Sequence, residues 1–171
     1  QPNQYWSITQ KIHGTSVVIS KVLVKRPLKW FEKCAKWIGV NVNDVEYKNL
    51  YASRRVIKNL GAQDGSFYSQ DIWGAANDII FPSLKDGMTV YAEIVGYLNN
   101  GEMIQKGFDY GCEPTKFKVY IYRVTTTSSS GVVYEWPWSH VKAWCIGAGL
   151  LHVPELWAGK ASDFLYPEKP E

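Results

Sequence analysis

Apolar and polar positions alternate in some stretches of the chain and fall into helical rows in others. Trp6 and Ile8 alternate with Ser7 and Thr9 as far as Gln10, and residues 16–20 are rich in Val and Ile. Two strands are therefore expected to meet at a tight turn at His13-Gly14. Trp30, Cys34 and Trp37 form one row at helical spacing and Phe31, Ala35 and Ile38 another, with Lys29, Glu32, Lys33 and Lys36 opposite. That pattern predicts an amphipathic helix ending at Gly39. Residues 49–59 read as a strand interrupted by Ser53-Arg54-Arg55. A short helix is expected over 71–80, carrying Ile72, Trp73, Ala76, Ile79 and Ile80 and ended by Pro82. Two strands dense in Val, Ile and Tyr follow, 89–97 and 117–126, separated by a glycine-bearing loop over 99–112. A Ser/Thr turn at 125–131 leads to a short strand at 132–136. Pro137 then opens a helix with Val141, Trp144, Cys145 and Ala148 inward. The Pro-rich, charged stretch 159–171 reads as a connector. Strands interleaved with a few flanking helices indicate an α+β fold with mostly antiparallel sheets, and 171 residues suit one domain with one core.

Composition narrows the class. A net charge of +3 is mildly basic, and Lys21, Lys25, Arg26, Lys29, Lys33 and Lys36 concentrate the positive residues. This suits a polyanion partner and equally a solvated helix face. Eight Trp and eleven Tyr serve either packing or base stacking. Cys34, Cys112 and Cys145 are odd in number and lack Cys-x-x-Cys spacing, which indicates neither a disulfide framework nor a zinc site and points to a reducing compartment. No apolar run approaches a membrane span. A cytoplasmic monomer is expected, with a virus-infected host cell as one setting.

The candidate chemistry begins at Lys11-Ile12-His13-Gly14-Thr15. Free lysine titrates near 10.4, so an attacking amine must be desolvated or set near other cations, and a semi-buried strand end would provide that. Glycine at 14 permits a positive φ and close approach of a phosphate to the backbone. On its own, Lys-x-x-Gly also describes a solvated hairpin lysine. Three further segments follow in order: Ser53-Arg54-Arg55, Tyr91-Ala92-Glu93-Ile94-Val95-Gly96-Tyr97 and Val119-Tyr120-Ile121-Tyr122-Arg123-Val124. An arginine grips phosphate bidentately, a glutamate accepts two hydroxyl hydrogen bonds, and an exposed aromatic can stack on a base. Met103 to Cys112 reads either as a binding loop or as a surface loop packed by its own side chains.

In this order the four segments resemble the RNA ligase branch of the covalent nucleotidyltransferases, which includes the type 2 phage RNA ligases and the kinetoplastid editing ligases. The likeness covers most of the chain. It implies that Lys11 attacks the α-phosphorus of ATP to form lysyl-AMP, that AMP passes to an RNA 5′-phosphate, and that a 3′-hydroxyl then displaces AMP. His13 stands where DNA ligases usually carry Asp, a form that this RNA-joining branch prefers, and the resemblance implicates it in the second transfer. Arg54, with Arg55 as the fallback, corresponds to motif Ia. Glu93 corresponds to the ribose-contacting glutamate of motif III, with Ala92 in place of its first glycine. Tyr122 corresponds to the adenine-stacking aromatic of motif IIIa, and Arg123 stands where an Asp is common. Gln10, Ile12 and Gly14 complete the nucleotide-binding set, with Gln10 where many relatives have Glu. ATP and Mg2+ are the implied cofactors, and RNA ends or a nicked duplex the implied partner. No residue is assigned as a metal ligand. Ser130-Gly131-Val132-Val133 lacks the carboxylate of motif IV and Lys142 lacks the second lysine of motif V. The chain is therefore expected to be part of one adenylation domain, truncated before those motifs and a poor catalyst alone. Alternatives are a DNA ligase or capping guanylyltransferase, a noncatalytic nucleic-acid-binding module of the same fold, and an α+β domain of another role.

Overall fold

The α+β arrangement is present in a computed structural model that describes residues 4–54, 56–58 and 70–164. Its centre is strand β5 (Met88–Gly96), in which Val90, Ala92 and Ile94 are fully buried. β5 pairs antiparallel with β2 (Thr15–Lys25) on one side and with β6 (Phe117–Thr127) on the other. Outward from β2 come β3 (Val45–Ser53) and the two-residue β4 (Ile57–Lys58); outward from β6 comes β7 (Val133–Glu135). The short β8 (Leu151–His152) adds to β6 in parallel.

Strand alternation sends Val17, Ile19, Val90, Ala92, Ile94, Val119, Ile121 and Val124 to one face of this sheet. Helices α2 (Ile72–Ile80) and α3 (Trp138–Ala148) close that face with Ile72, Trp73, Ala76, Ile80, Val141 and Cys145. Each fully buried Val, Ile or Met side chain there contributes roughly 1.5–3 kcal/mol. Asp71 caps α2 by accepting from the Gly74 N–H at 3.0 Å, and its other oxygen accepts the Tyr51 hydroxyl at 2.9 Å, which ties the helix to β3. Gly149 ends α3 in the left-handed conformation, φ 67°. Trp144, expected inward, is half-buried against the core, and Ile79 on α2 is exposed.

The expected first hairpin does not form. β1 (Tyr5–Thr9) pairs instead with β9 (Glu155–Lys160), in a separate two-stranded antiparallel sheet. The stretch read as a connector from 159 thus begins as the end of a strand. Alternation identifies a strand but not its partner, and here the partner lies about 150 residues away. The stretch read as one interrupted strand over 49–59 is also two strands: β3 turns at Arg54 and β4 folds back on it, with Ala52 opposite Ile57. Asn59 lies outside the described residues. A second, smaller cluster of Ile12, Val95, Cys112 and Val153 forms beside the main core.

Helix α1 (Trp30–Trp37) occupies the long connection between β2 and β3, and none of its residues is buried. Gly39 follows it at φ 88°, as the glycine stop predicts.

Candidate active site

Residues 10–14 cross from the small sheet to the large one without strand structure. The Gln10 N–H donates to the Pro154 carbonyl at 2.9 Å. Ile12 is buried in the smaller cluster, while Lys11 and His13 on either side of it are exposed. Lys11 is therefore presented by an anchored crossing segment, not by the semi-buried strand end expected from the pattern. Gly14 has a different reason from the one expected. It is not among the positive-φ glycines, but a Cβ there would stand 2.2 Å from the Ile94 carbonyl oxygen and 2.8 Å from Val95 Cγ1. Only glycine lets the segment lie this close to β5.

Glu93 fixes the same segment from β5. Its Oε1 accepts the Gly14 N–H at 3.1 Å and its Oε2 accepts the Ser16 hydroxyl at 3.0 Å, Ser16 being its cross-strand neighbour. A carboxylate has about four lone-pair sites, so both oxygens keep capacity for a ligand. The Ser16 carbonyl accepts the Trp73 indole N–H at 3.1 Å, which couples the floor of the site to α2.

Tyr122 reaches the site through a β-bulge. Tyr91 pairs with Arg123 but Ala92 pairs with Ile121, leaving Tyr122 as the extra residue on β6. Buried positions on β6 are Val119 and Ile121 before the bulge and Val124 and Thr125 after it. Tyr122 and Arg123 consequently both lie exposed, off the core face. Arg123 sits over the Tyr91 ring at 4.9 Å and pairs with Glu135 at 2.8 Å, which takes it out of the site. The Tyr122 phenol is pushed up from its ordinary value, first by burial and then by the nearby Glu93 carboxylate.

The loop between β5 and β6 covers the crossing segment. The Tyr110 hydroxyl accepts the His13 N–H at 2.8 Å, and the Phe108 ring lies 4.9 Å from the His13 imidazole. Phe108 in turn stacks with Tyr110.

A cleft of about 620 Å³ gathers these groups. Gln10, Lys11, Ile12, His13, Gly14, Arg54, Glu93 and Tyr122 all line it, brought together from the crossing segment, the β3–β4 turn, β5 and β6. Arg55, the remaining candidate, lies outside the described residues. Thr9, Ser16, Gln105 and Val153 also line the cleft and were not singled out from the sequence. Ser16 could have been found from strand register, had the pairing with Glu93 been readable; Gln105 belongs to the 103–112 loop, read from the sequence as either a binding loop or a surface loop.

Cysteine chemistry has no place in the cleft. Burial pushes Cys145 up to about 11 and raises Cys112, and the reactive form of a thiol is the thiolate. Among the described residues no group of three His, Cys, Asp or Glu side chains could hold a metal ion.

A family model described as RNA ligase matches residues 4–169. The chain belongs to the RNA ligase family. A search of curated proteins gives no match to it. The α+β architecture with mostly antiparallel sheets is that of a nucleotidyltransferase-like ligase domain, and family membership supports RNA ligase-type activity in general. In this RNA ligase family member the match spans both sheets and every element that lines the cleft. No helix among the described residues is long and apolar enough to cross a membrane.

Proposed function

We propose that this RNA ligase family member is an ATP-dependent ligase of the type 2 phage and editing kind, with residues 1–171 belonging to its adenylation domain and Lys11 as the nucleophile. The observation that carries the proposal is the meeting of Lys11, Arg54, Glu93 and Tyr122, far apart in sequence, in one cleft large enough for a nucleotide.

The neutral Lys11 amine attacks the α-phosphorus of ATP. A P–N bond forms, the bond to the β-phosphate oxygen breaks, pyrophosphate leaves and the amine proton passes to solvent. An oxygen of an RNA 5′-phosphate then attacks the AMP phosphorus, the P–N bond breaks, and Lys11 recovers its proton. A 3′-hydroxyl finally attacks the activated 5′-phosphate and expels AMP. Tyr122 offers its face to adenine, Glu93 accepts from the ribose hydroxyls, and Arg54 meets a phosphate with its planar fork. Gln10, Ile12 and Gly14 shape the floor beside Lys11. His13, held by Tyr110 and Phe108, stands next to the nucleophile for the transfer to RNA. The described residues supply no cage for Mg2+; such an ion would arrive on the nucleotide phosphates with waters still bound, and no step is assigned to it.

The assay is joining of 5′-phosphate and 3′-hydroxyl ends, on RNA and on DNA, with ATP and with GTP, by the full product of the gene. Sealing of RNA with ATP, lost in Lys11→Ala and reduced in His13→Ala, is expected. Preference for a DNA nick would move the protein to a DNA ligase, and preference for GTP to a capping enzyme.

A further inference from the structure

Helix α1 presents its aromatic side chains to solvent. Trp30 is 78% and Trp37 88% exposed, and Phe31 and Ile38 are exposed as well. No residue of the helix is buried in the core, and the contacts that fix it are ion pairs and hydrogen bonds. The Glu32 carboxylate receives both arms of the Arg26 guanidinium, at 3.0 and 2.6 Å, and the Lys29 N–H at 2.8 Å. Arg26 also donates to the Asn43 carbonyl at 2.6 Å, and Lys36 pairs with Asp44 at 2.9 Å. The helix is thus fixed to the two stems of its own connection, with its aromatic face open.

At 100° per residue Trp30 and Trp37 fall on one line, about 10 Å apart along the axis, with Lys33 and Lys36 on the adjoining line, while Lys29 caps the helix and holds its ammonium over the Phe31 ring, 5.9 Å from the centroid. Between residues 25 and 44 there are five basic side chains and two acidic ones. Interface cores between proteins are depleted in lysine, whereas cationic rows beside aromatic platforms match a single-stranded nucleic acid, in which phosphates run beside exposed base faces. We infer that α1 is a docking platform for single-stranded RNA, with Trp30 and Trp37 stacking on bases and Lys33 beside them meeting a phosphate. The choice of RNA as occupant rests on the ligase reading above; the platform is separate from the nucleotide cleft, which no α1 residue lines.

The test titrates a fluorescein-labelled oligouridylate of about 12 nucleotides into the full gene product. Trp30→Ala/Trp37→Ala should raise Kd by at least the roughly 5- to 150-fold that one stacking aromatic supplies. Trp30→Tyr/Trp37→Tyr should keep most of the affinity. Lys33→Ala should flatten the log–log salt dependence by about 0.7. Formation of the Lys11 adenylate should be unchanged in all of them. An unchanged Kd in the double alanine variant overturns the proposal. So does unaltered RNA binding accompanied by loss of self-association or of binding to anionic vesicles, because the face would then serve a protein or a membrane. Tryptophan-dependent RNA binding without any adenylate would remove the ligase reading and leave the platform. An adenylate with an indifferent Kd would do the reverse.

Discussion

Two residues around Lys11 do structural work that the side chains themselves make testable. Gly14 allows the crossing segment to touch β5, and Gly14→Ala would force a methyl group into the Ile94 carbonyl. Overpacking of this kind costs about 1–3 kcal/mol, so the urea midpoint should fall without a change in m-value. An unchanged midpoint would show that the segment can retreat. Glu93 holds Gly14 and Ser16 together. Glu93→Ala removes both accepting oxygens, so both bonds are lost and the Lys11 segment loosens. A displacement of about 1 Å can cost about a hundredfold in rate, and a loss of that order in adenylation with the fold retained is expected. Activity equal to wild type would show that the carboxylate neither braces the segment nor contacts substrate. At this scale the sequence was informative about residue identity: Lys11, His13, Arg54, Glu93 and Tyr122, singled out by type and order, all line one cleft. The reason for Gly14 was misread, because a close backbone approach leaves no mark in the neighbouring residues.

Among the elements, β6 shows how a single inserted residue serves the site. Past Val119 and Ile121, which face the core, the bulge opposite Tyr91 keeps Arg123 as well as Tyr122 off the core face before Val124 returns to it. If the ring face is what matters, Tyr122→Phe should retain the KM for ATP while Tyr122→Leu raises it by roughly 5- to 150-fold, the range of one stacking contact. Equal loss in both variants would assign the role to the hydroxyl instead. Helix α1 depends on Glu32, whose carboxyl is held down to about 2, first by the Arg26 side chain and next by the Lys29 N–H. In the unfolded chain a glutamate titrates near 4.3, so the unfolded state takes the proton first as pH falls. The contribution of Glu32 is complete above about 4.3 and disappears toward about 2. Amide protection over 30–38, corrected for intrinsic exchange, should decline across that window, and in Glu32→Gln it should be low and flat. A flat wild-type profile would contradict the ionic account of the helix. The elements with strong local signals, α2 with its apolar row ended at Pro82 and β5 and β6 with their Val, Ile and Tyr runs, were legible from the sequence. The bulge was not, since it is a property of two strands in register. The apolar rows of α1 were also legible, but amphipathic periodicity does not say whether a face meets the core or the solvent.

At the scale of the molecule, two sheets meet along the segment that bears Lys11. The small sheet joins the beginning of the described chain to its end, with Trp6 opposite Gly159, and Lys142 on α3 pairs with Glu155 on β9 to hold it against the helix. Burial in the Ile12 cluster completes the junction. This pairing was illegible in the sequence for a physical reason: β1 has the same alternation whether its partner is ten residues away or about 150. The local reading chose the near partner, and the sheets chose the far one. That choice places an exposed lysine between the sheets, facing a cleft assembled from distant parts of the chain. The central claim is that this lysine takes up AMP. Intact mass of the full gene product after incubation with ATP and Mg2+, beside Lys11→Ala, tests it most directly. A gain of one AMP in the wild type, absent from the variant, is the predicted result; an unmodified wild type, or an adduct that survives Lys11→Ala, would contradict it.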